Sequence, residues 1–436
     1  MGAIAVLFYF FLEIYENPYV EKAFYLVCGD KLISDGYCDM NAFISGKIGK
    51  ESMLQTLKNI DSPFLDLYKD GYPKSDEITG LLNDFFNTEV MQNFEKPEDM
   101  KLAEAQALVN WIYKSLRSVD ARVKATLELM QFLQNKYQLP GEILISRGIV
   151  YINAKADLNF VSSIEDFSKS MEKINSIGKK IFFRGHSETN FILVPSLIRN
   201  QNWHANERKM YNELLINSPE SFTGLRSHLE YLVEMQHYGL PTRLLDITSN
   251  PLVALYFACE SSMDSFGELV VFSVAENSIK YPQSDTVSIL ASLPLFDYEK
   301  QQEIYRYAVD ASLSQEEFNS QKIIRRLLHE VKCEKPAFKD EIVRTDLLHS
   351  LIVQPLKNNN RILKQDGAFI LCGLSKDYRH LDVNELRYCN YVEKRQIFIV
   401  ENKKKFIDAL NTFSINKAAL FPEIDDVADF IKGKYS

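Results

Sequence analysis

The sequence lacks the features that most directly assign a protein to a functional class. Its six cysteines include no Cys-x-x-Cys pair and its seven histidines are not grouped at metal-ligand spacing, so we expect neither disulfides nor a bound metal. Glycine and proline are sparse, at 17 and 14 residues, which argues against long disordered linkers. The apolar run at residues 3–12 is too short to span a bilayer and no Lys or Arg precedes it, so we expect a cytoplasmic protein without a membrane anchor.

Net charge argues against one class of nucleic-acid-binding protein, and composition and length indicate a folded chain with a large core. A net charge of −9 is not typical of a protein that coats nucleic acid through phosphate contacts. Hydrophobic residues make up 46% and aromatic residues 12% of the 436 residues, which is enough for a sizeable core. A chain of this length is expected to form two or three domains.

Periodicity divides the chain near residue 140. Residues 1–140 carry apolar residues at helical spacing and end at a Leu139-Pro140-Gly141 turn. This pattern predicts that residues 1–140 form a helical region of unknown role. The region is a candidate for binding a protein partner. Residues 141–436 alternate short apolar strands with helices, and residues 280–340 indicate a polar helical insertion. The predicted fold class is therefore α+β, with a small mixed sheet surrounded by helices in the second domain.

The first of two segments suited to chemistry surrounds Arg184. Residues 181–183 are β-branched and aromatic and predict a short buried strand. Gly185 is predicted to end it, which makes Arg184 the last strand residue and places His186 just beyond. A guanidinium in that position can bind a phosphate or a carboxylate with two hydrogen bonds. The alternative is a structural ion pair between this arginine and an internal acid.

The second segment is a polar link between two predicted helices. One helix ends before Gly239, a residue type that favours helix ends. The next helix is apolar on nearly all sides and begins at Pro251, after a cap at Ser249 or Asn250. The polar side chains of the link are Thr242, Arg243, Asp246, Thr248 and Ser249. They must be satisfied by a ligand or by one another, and the arginine and the aspartate are natural partners.

These segments resemble the bacterial FRG domain, a family named for its (Phe/Tyr)-Arg-Gly motif. The residues that carry the resemblance are Phe183-Arg184-Gly185, His237-Tyr238-Gly239-Leu240-Pro241-Thr242-Arg243-Leu244-Leu245-Asp246, Gln365-Asp366-Gly367-Ala368-Phe369 and the tail Leu420-Phe421-Pro422-Glu423-Ile424-Asp425. The resemblance runs from near residue 160 to the C-terminus. It implies an effector of a bacterial defence or conflict system, but it names no reaction.

A more distant resemblance is to the Arg-type ADP-ribosyltransferases. Arg184-Gly185 is similar to a motif on their first core strand. Thr248-Ser249, followed by Val253-Ala254-Leu255-Tyr256-Phe257-Ala258, is similar to the element that leads into their next helix. Their catalytic Glu lies on a late strand, where this sequence has Gln396, with Glu393 and Glu401 on either side and out of register.

This second resemblance implies NAD as a substrate. Arg184 would bind the pyrophosphate, and Thr248 and Ser249 would bind ribose hydroxyls. An aromatic ring, Tyr238 or Tyr256, would stack on the nicotinamide. The candidate catalytic residues are Arg184, Ser249 and Glu393. The candidate cofactor-binding residues are Arg184, Gly185, His186, Tyr238, Arg243, Asp246, Thr248, Tyr256 and Gln365.

Two functions follow as alternatives. The first is an NAD-consuming, ADP-ribosyltransferase-like enzyme, in which Glu393 or Asp246 would stabilise the oxocarbenium-like transition state. The second is a non-catalytic module that binds a nucleotide-like small molecule or an anion and regulates another activity. A carboxylate within hydrogen-bond reach of the space between Arg184 and Ser249 would favour the enzyme.

Overall fold

The computed structural model describes residues 37–39, 143–147, 149–153, 156–189, 191–376, 381–424, 428 and 430–432. The chain forms two compact units, residues 1–158 and 159–436. The helices predicted within residues 1–140 lie outside the described residues. Among the described residues, no helix combines the length and the apolar character that a membrane crossing requires.

The first unit contains a three-stranded antiparallel sheet. Its strands are β1 (Tyr37–Asp39), β2 (Ile143–Ser146) and β3 (Ile149–Ile152), in the order β1-β3-β2. The isoleucines and valine of β2 and β3 favour extended backbone because they branch at Cβ. Arg147 turns the chain between these two strands with a left-handed φ of 52°.

A seven-stranded open sheet forms the centre of the second unit. Its strands are β4 (Ala156–Val161), β5 (Lys179–His186), β6 (Leu244–Thr248), β7 (Gly267–Ala275), β8 (Leu351–Val353), β9 (Gly367–Leu371) and β10 (Arg395–Val400). They lie in the order β4-β10-β7-β5-β6-β9-β8.

The sheet is mixed, because one of its edge pairs differs from the rest. The pairs from β10 across to β8 are antiparallel. By contrast, the Nδ2 of Asn159 donates to the carbonyl of Ile397 at 3.4 Å, and the N–H of Glu401 donates to the carbonyl of Val161 at 2.9 Å. Residue numbers rise together on β4 and β10, so these strands are parallel. The predicted α+β class with a mixed sheet is confirmed.

Helices surround this sheet. They are α1 (Ile164–Glu172), α2 (Gln201–Ala205), α3 (Glu207–Asn217), α4 (His228–His237), α5 (Pro251–Cys259), α6 (Asp285–Ala291), α7 (Tyr298–Val309), α8 (Gln315–Ser320), α9 (Lys322–Glu334), α10 (Asn360–Lys364), α11 (Lys403–Thr412) and α12 (Lys417–Leu420). Residues 280–340 contain α6 to α9, which share one apolar cluster with α4.

Helix α5 packs almost backbone to backbone against the sheet. A Cβ atom at Gly185 would lie 2.0 Å from the carbonyl oxygen of Ala254, and one at Gly267 would lie 2.4 Å from that of Ala258. Small residues on both sides permit this approach, and the apolar sequence of α5 is buried against β5 and β7. Gly185 therefore belongs to the packing of the second unit.

The ends of α4 and α5 follow the predicted signals. Gly239 follows α4 with a left-handed φ of 81°, which glycine adopts without steric cost. Pro251 is the first residue of α5, and Oδ1 of Asn250 accepts from the N–H of Leu252 at 3.0 Å. The predicted boundaries of the polar link are confirmed, and β6 lies within it.

A buried lysine joins three parts of the second unit. Lys403, at the start of α11, is 2% exposed. Its Nζ donates to the carbonyl oxygens of Ser187, Ser261 and Ser262, the last two at 3.0 and 2.8 Å. These carbonyls lie just after β5 and just after α5. One ammonium group thus stabilises two chain segments that have no regular hydrogen-bond ladder of their own.

Candidate functional site

The candidate site lies where β5 and β6 part. β5 pairs with β7 along eight residues, from Lys179 to His186, but its register with β6 consists of Phe183 opposite Thr248. Beyond that position the two strands separate. The split leaves strand backbone without a regular ladder in the middle of the sheet, and the Arg184 side chain bonds across it.

Arg184 occupies this split. Its Nη1 donates to the carbonyl oxygen of Asp246 at 2.7 Å, and its Nε donates to Nε2 of His186 at 3.1 Å. Nη1 also lies 3.9 Å from a carboxylate oxygen of Asp246. The arginine side chain is 17% exposed. The prediction that Arg184 ends its strand is wrong, because β5 continues to His186.

A second arginine raises the positive charge of the split. Burial and, to a smaller extent, the neighbouring charge of Arg199 lower the pKa of Arg184 to about 10, whereas the charge of Asp246 acts in the opposite direction. Burial also lowers the pKa of Arg199, and the charge of Asp246 acts in the opposite direction. Nε and Nη2 of Arg199 donate to the carbonyl of Val194 at 3.2 and 3.0 Å. The charge of the Asp246 carboxylate therefore acts on both guanidinium groups.

That carboxylate is held in place but remains open to solvent. Asp246 accepts from Nε2 of Gln236 at 2.8 Å, and its side chain is 65% exposed. Gln236 in turn accepts from the hydroxyl of Thr242, which accepts from the N–H of Leu244 at 3.1 Å. The C-terminal end of α4 thus fixes Asp246 beside Arg184.

A buried chain of polar groups supports Arg184 from behind. Nδ1 of His186 lies 3.6 Å from a carboxylate oxygen of Glu268, and the other oxygen of Glu268 accepts from Nη2 of Arg387. All three side chains are nearly fully buried. Sequence analysis missed Glu268 and Arg387, although an acid at the start of a buried apolar strand is a detectable signal for Glu268.

Arg243 belongs to a different buried network. Its guanidinium bonds to both carboxylate oxygens of Glu207, with Nε to Oε1 at 2.9 Å, and Nη2 donates to Oε1 of Gln301 at 3.1 Å. Nε2 of Gln301 donates to Glu207 at 2.8 Å. The expected pairing of Arg243 with Asp246 is wrong, because α3 supplies the acid instead.

Three of the predicted ligand-binding residues form hydrogen bonds within the fold. The hydroxyl of Thr248 donates to the carbonyl of Gln365 at 2.6 Å, and that of Ser249 donates to the carbonyl of Asp366 at 3.4 Å. Nε2 of Gln365 donates to the carbonyl of Leu420 at 3.1 Å. These contacts join the end of β6 to the turn before β9 and to the C-terminal tail.

The remaining predicted residues are dispersed. Tyr256, on α5, is 7% exposed in the core, whereas Tyr238 is 61% exposed. Glu393 precedes β10 and has a left-handed φ of 61°. The register sets Arg184 opposite Val270 and Phe398 opposite Leu269, so Glu393 lies two strands across from Arg184 and several residues along. Arg184, His186 and Asp246 are brought together, and Glu393 is not.

A further acid lies close to the end of α4. Nε2 of His237 is 3.8 Å from Oε1 of Glu423, and the ring of Tyr238 contacts that of His237 edge to face at 4.9 Å between centroids. Glu423 was part of the tail motif but was not predicted to act at the site. No group of three or more His, Cys, Asp or Glu side chains suited to a metal occurs in the part of the chain that the structure describes.

Comparison with known proteins matches the segment that builds the split. The family model described as FRG domain matches residues 179–266, which run from the start of β5 to the residue before β7. The match includes Arg184, Gly185 and Asp246. No curated protein matches the chain, and no solved structure does.

Proposed function

We propose, from the FRG domain at residues 179–266 and the arginines of the split, that the second unit binds a phosphate-bearing nucleotide between β5 and β6. The observation that carries the proposal is the position of the Arg184 guanidinium at the split, 2.7 Å from the carbonyl oxygen of Asp246 and 3.9 Å from its carboxylate. The charge of Arg199 also lowers the pKa of Arg184. Asp246 offsets one of the two charges. A phosphate placed there would relieve the remaining repulsion and accept charge-assisted hydrogen bonds.

The internal bonding of the other candidates favours binding over catalysis. Thr248, Ser249 and Gln365 already have hydrogen-bond partners in the protein, and Glu393 is distant from Arg184. Fewer free groups remain to organise a transition state. NAD and ADP-ribose, which contain a pyrophosphate between two riboses, are the ligands we place first.

The test is calorimetric titration of the full chain with ADP-ribose. We expect saturable binding that weakens as salt is raised, because salt screens the arginine charges. Loss of charge-assisted hydrogen bonds should make the affinity about 10- to 100-fold weaker in Arg199→Gln and in Arg184→Lys, since lysine keeps the charge but lacks the planar fork.

Arg326→Gln is the matched control. The Arg326 side chain is 61% exposed and pairs with Glu330 on α9, away from the split. It should bind ADP-ribose as the wild type does. Absence of binding by a folded wild-type protein, or equal affinities for all four proteins, would overturn the proposal.

A second candidate function is NAD consumption by an ADP-ribosyltransferase-like reaction. Asp246 favours it, because an exposed carboxylate lies 3.9 Å from the Arg184 guanidinium and can stabilise positive charge that develops on ribose. Incubation with NAD should then release nicotinamide, and Asp246→Asn should abolish the release while ADP-ribose still binds. Binding without release in the wild type would leave the binding module as the function.

The biological setting that we propose is bacterial defence in the cytoplasm. The sequence resemblance to FRG domains supports this setting. Residues 1–140 are the region we propose for a protein partner, which would couple nucleotide binding in the second unit to a response.

A further inference from the structure

A second polar pair lies one residue away from the split. His237 is the last residue of α4 and follows Gln236, which holds Asp246. Glu423 approaches it from the C-terminal tail, and the distance of 3.8 Å from its Oε1 to Nε2 of His237 is too long for a hydrogen bond. The two side chains are 18% and 36% exposed.

Both side chains retain unused hydrogen-bonding capacity. Within the part of the chain that the structure describes, neither Oε2 of Glu423 nor Nδ1 of His237 has a hydrogen-bond partner, although both atoms are buried. A buried polar atom left unpaired destabilises the folded protein. Such atoms need an explanation, and one explanation is a water or a bound group that pairs with them.

The tail that carries Glu423 is tied to the candidate site. Gln365 donates to the carbonyl of Leu420, and the carbonyl of Gln365 accepts from Thr248 at the end of β6. The Arg361 guanidinium lies over the ring of Phe421 at 4.4 Å. The pair is thus attached both to α4 and to β6, the two elements that position Asp246.

We propose that Glu423 and His237 form a subsite for the ribose hydroxyls of the nucleotide, an inference that rests on the proposed function. A carboxylate repels phosphate, so the part of the ligand that binds Glu423 must donate a hydrogen bond. The neighbouring hydroxyls of a ribose can donate hydrogen bonds to the Glu423 carboxylate. A nitrogen of the His237 imidazole can form one more hydrogen bond with a ribose hydroxyl. The exposed ring of Tyr238 beside His237 adds an apolar surface for the adjoining sugar or base.

The test compares two probes, ADP-ribose and inorganic pyrophosphate, which has the phosphates but no ribose. We expect Glu423→Gln to weaken ADP-ribose binding at least tenfold and to leave pyrophosphate binding unchanged. Glu316→Gln, an exposed acid in the first turn of α8, is the matched control and should change neither affinity. If Glu423→Gln does not fold, His237→Gln supplies the same comparison.

The outcomes separate this inference from the function on which it rests. If wild-type protein binds neither probe, the nucleotide site itself is wrong. If it binds both but Glu423→Gln weakens both equally, or neither, the ribose subsite is wrong and the phosphate site stands. A selective loss of ADP-ribose affinity supports both.

Discussion

Two acids of the same type show how strongly the surroundings of a residue decide its contribution. Glu207 is buried against Arg243 and Gln301, whereas the Glu165 side chain is 76% exposed and pairs with Lys169 one turn along α1. We predict that Glu207→Gln lowers the free energy of unfolding by about 3–5 kcal/mol, because Arg243 is left as an uncompensated buried charge.

Chemical denaturation followed by circular dichroism measures this loss. Glu165→Gln makes the same chemical change at an exposed pair and should cost at most about 1 kcal/mol. Equal unfolding midpoints for the two variants would show that the Glu207 network contributes no more than a surface pair.

The Arg243 network also shows where sequence reasoning ends at this scale. Polarity in the link between α4 and α5 correctly indicated that its side chains needed partners. The nearest acid, Asp246, was an incorrect choice because Glu207 lies 36 residues away in sequence and is brought close only by the packing of α3. Arg199, Arg387 and Glu423 were missed for the same reason.

At the scale of elements, the approach of α5 to the sheet depends on glycine. We predict that Gly185→Ala lowers the free energy of unfolding by about 3 kcal/mol or more, since its Cβ would lie 2.0 Å from a backbone oxygen of α5 and the helix would have to move. Urea denaturation of the purified variant measures the loss.

Gly367→Ala is the control, because a Cβ there would meet its nearest neighbour, a side-chain methyl of Ile362, at 3.4 Å. This variant should lie within about 1 kcal/mol of the wild type. A Gly185→Ala protein as stable as Gly367→Ala would mean that the helix can shift freely.

The elements themselves were more accessible to prediction than their contacts. Gly239, Asn250 and Pro251 fix helix ends through local backbone chemistry, and the structure has those ends where the sequence indicates them. The end of β5 was misplaced because Gly185 resembles a strand breaker. Its actual role is to admit α5, a tertiary requirement that no local pattern expresses.

At the scale of the whole molecule, the chain forms two units that meet in sequence at residue 158. The apolar clusters of the second unit consist of residues from Val161 onward. We predict that a fragment of residues 156–436, which keeps β4 intact, folds alone and unfolds in one cooperative transition. Thermal unfolding and limited proteolysis measure this, and a fragment without a cooperative transition would contradict it.

The open split between β5 and β6 explains why the sheet was predictable in class but not in detail. Strand-forming residues identify β5, but β6 lies in the link that the sequence indicated only as polar. The pair in register, Phe183 and Thr248, and the bond from Arg184 to the carbonyl of Asp246 are set by tertiary contacts. A side-chain hydrogen bond here takes the place of part of the backbone ladder, and sequence periodicity gives no indication of such a bond.

The enclosure of Lys403 gives the molecule an internal reporter. An ammonium held by three carbonyls at 2% exposure is shielded from acetylating reagents, which need a free, deprotonated amine. Exposed lysines should acylate at once, while Lys403 should acylate at the rate at which α11 separates from the ends of β5 and α5. Mass spectrometry of Lys403 acylation over time would therefore measure the rate of this local opening.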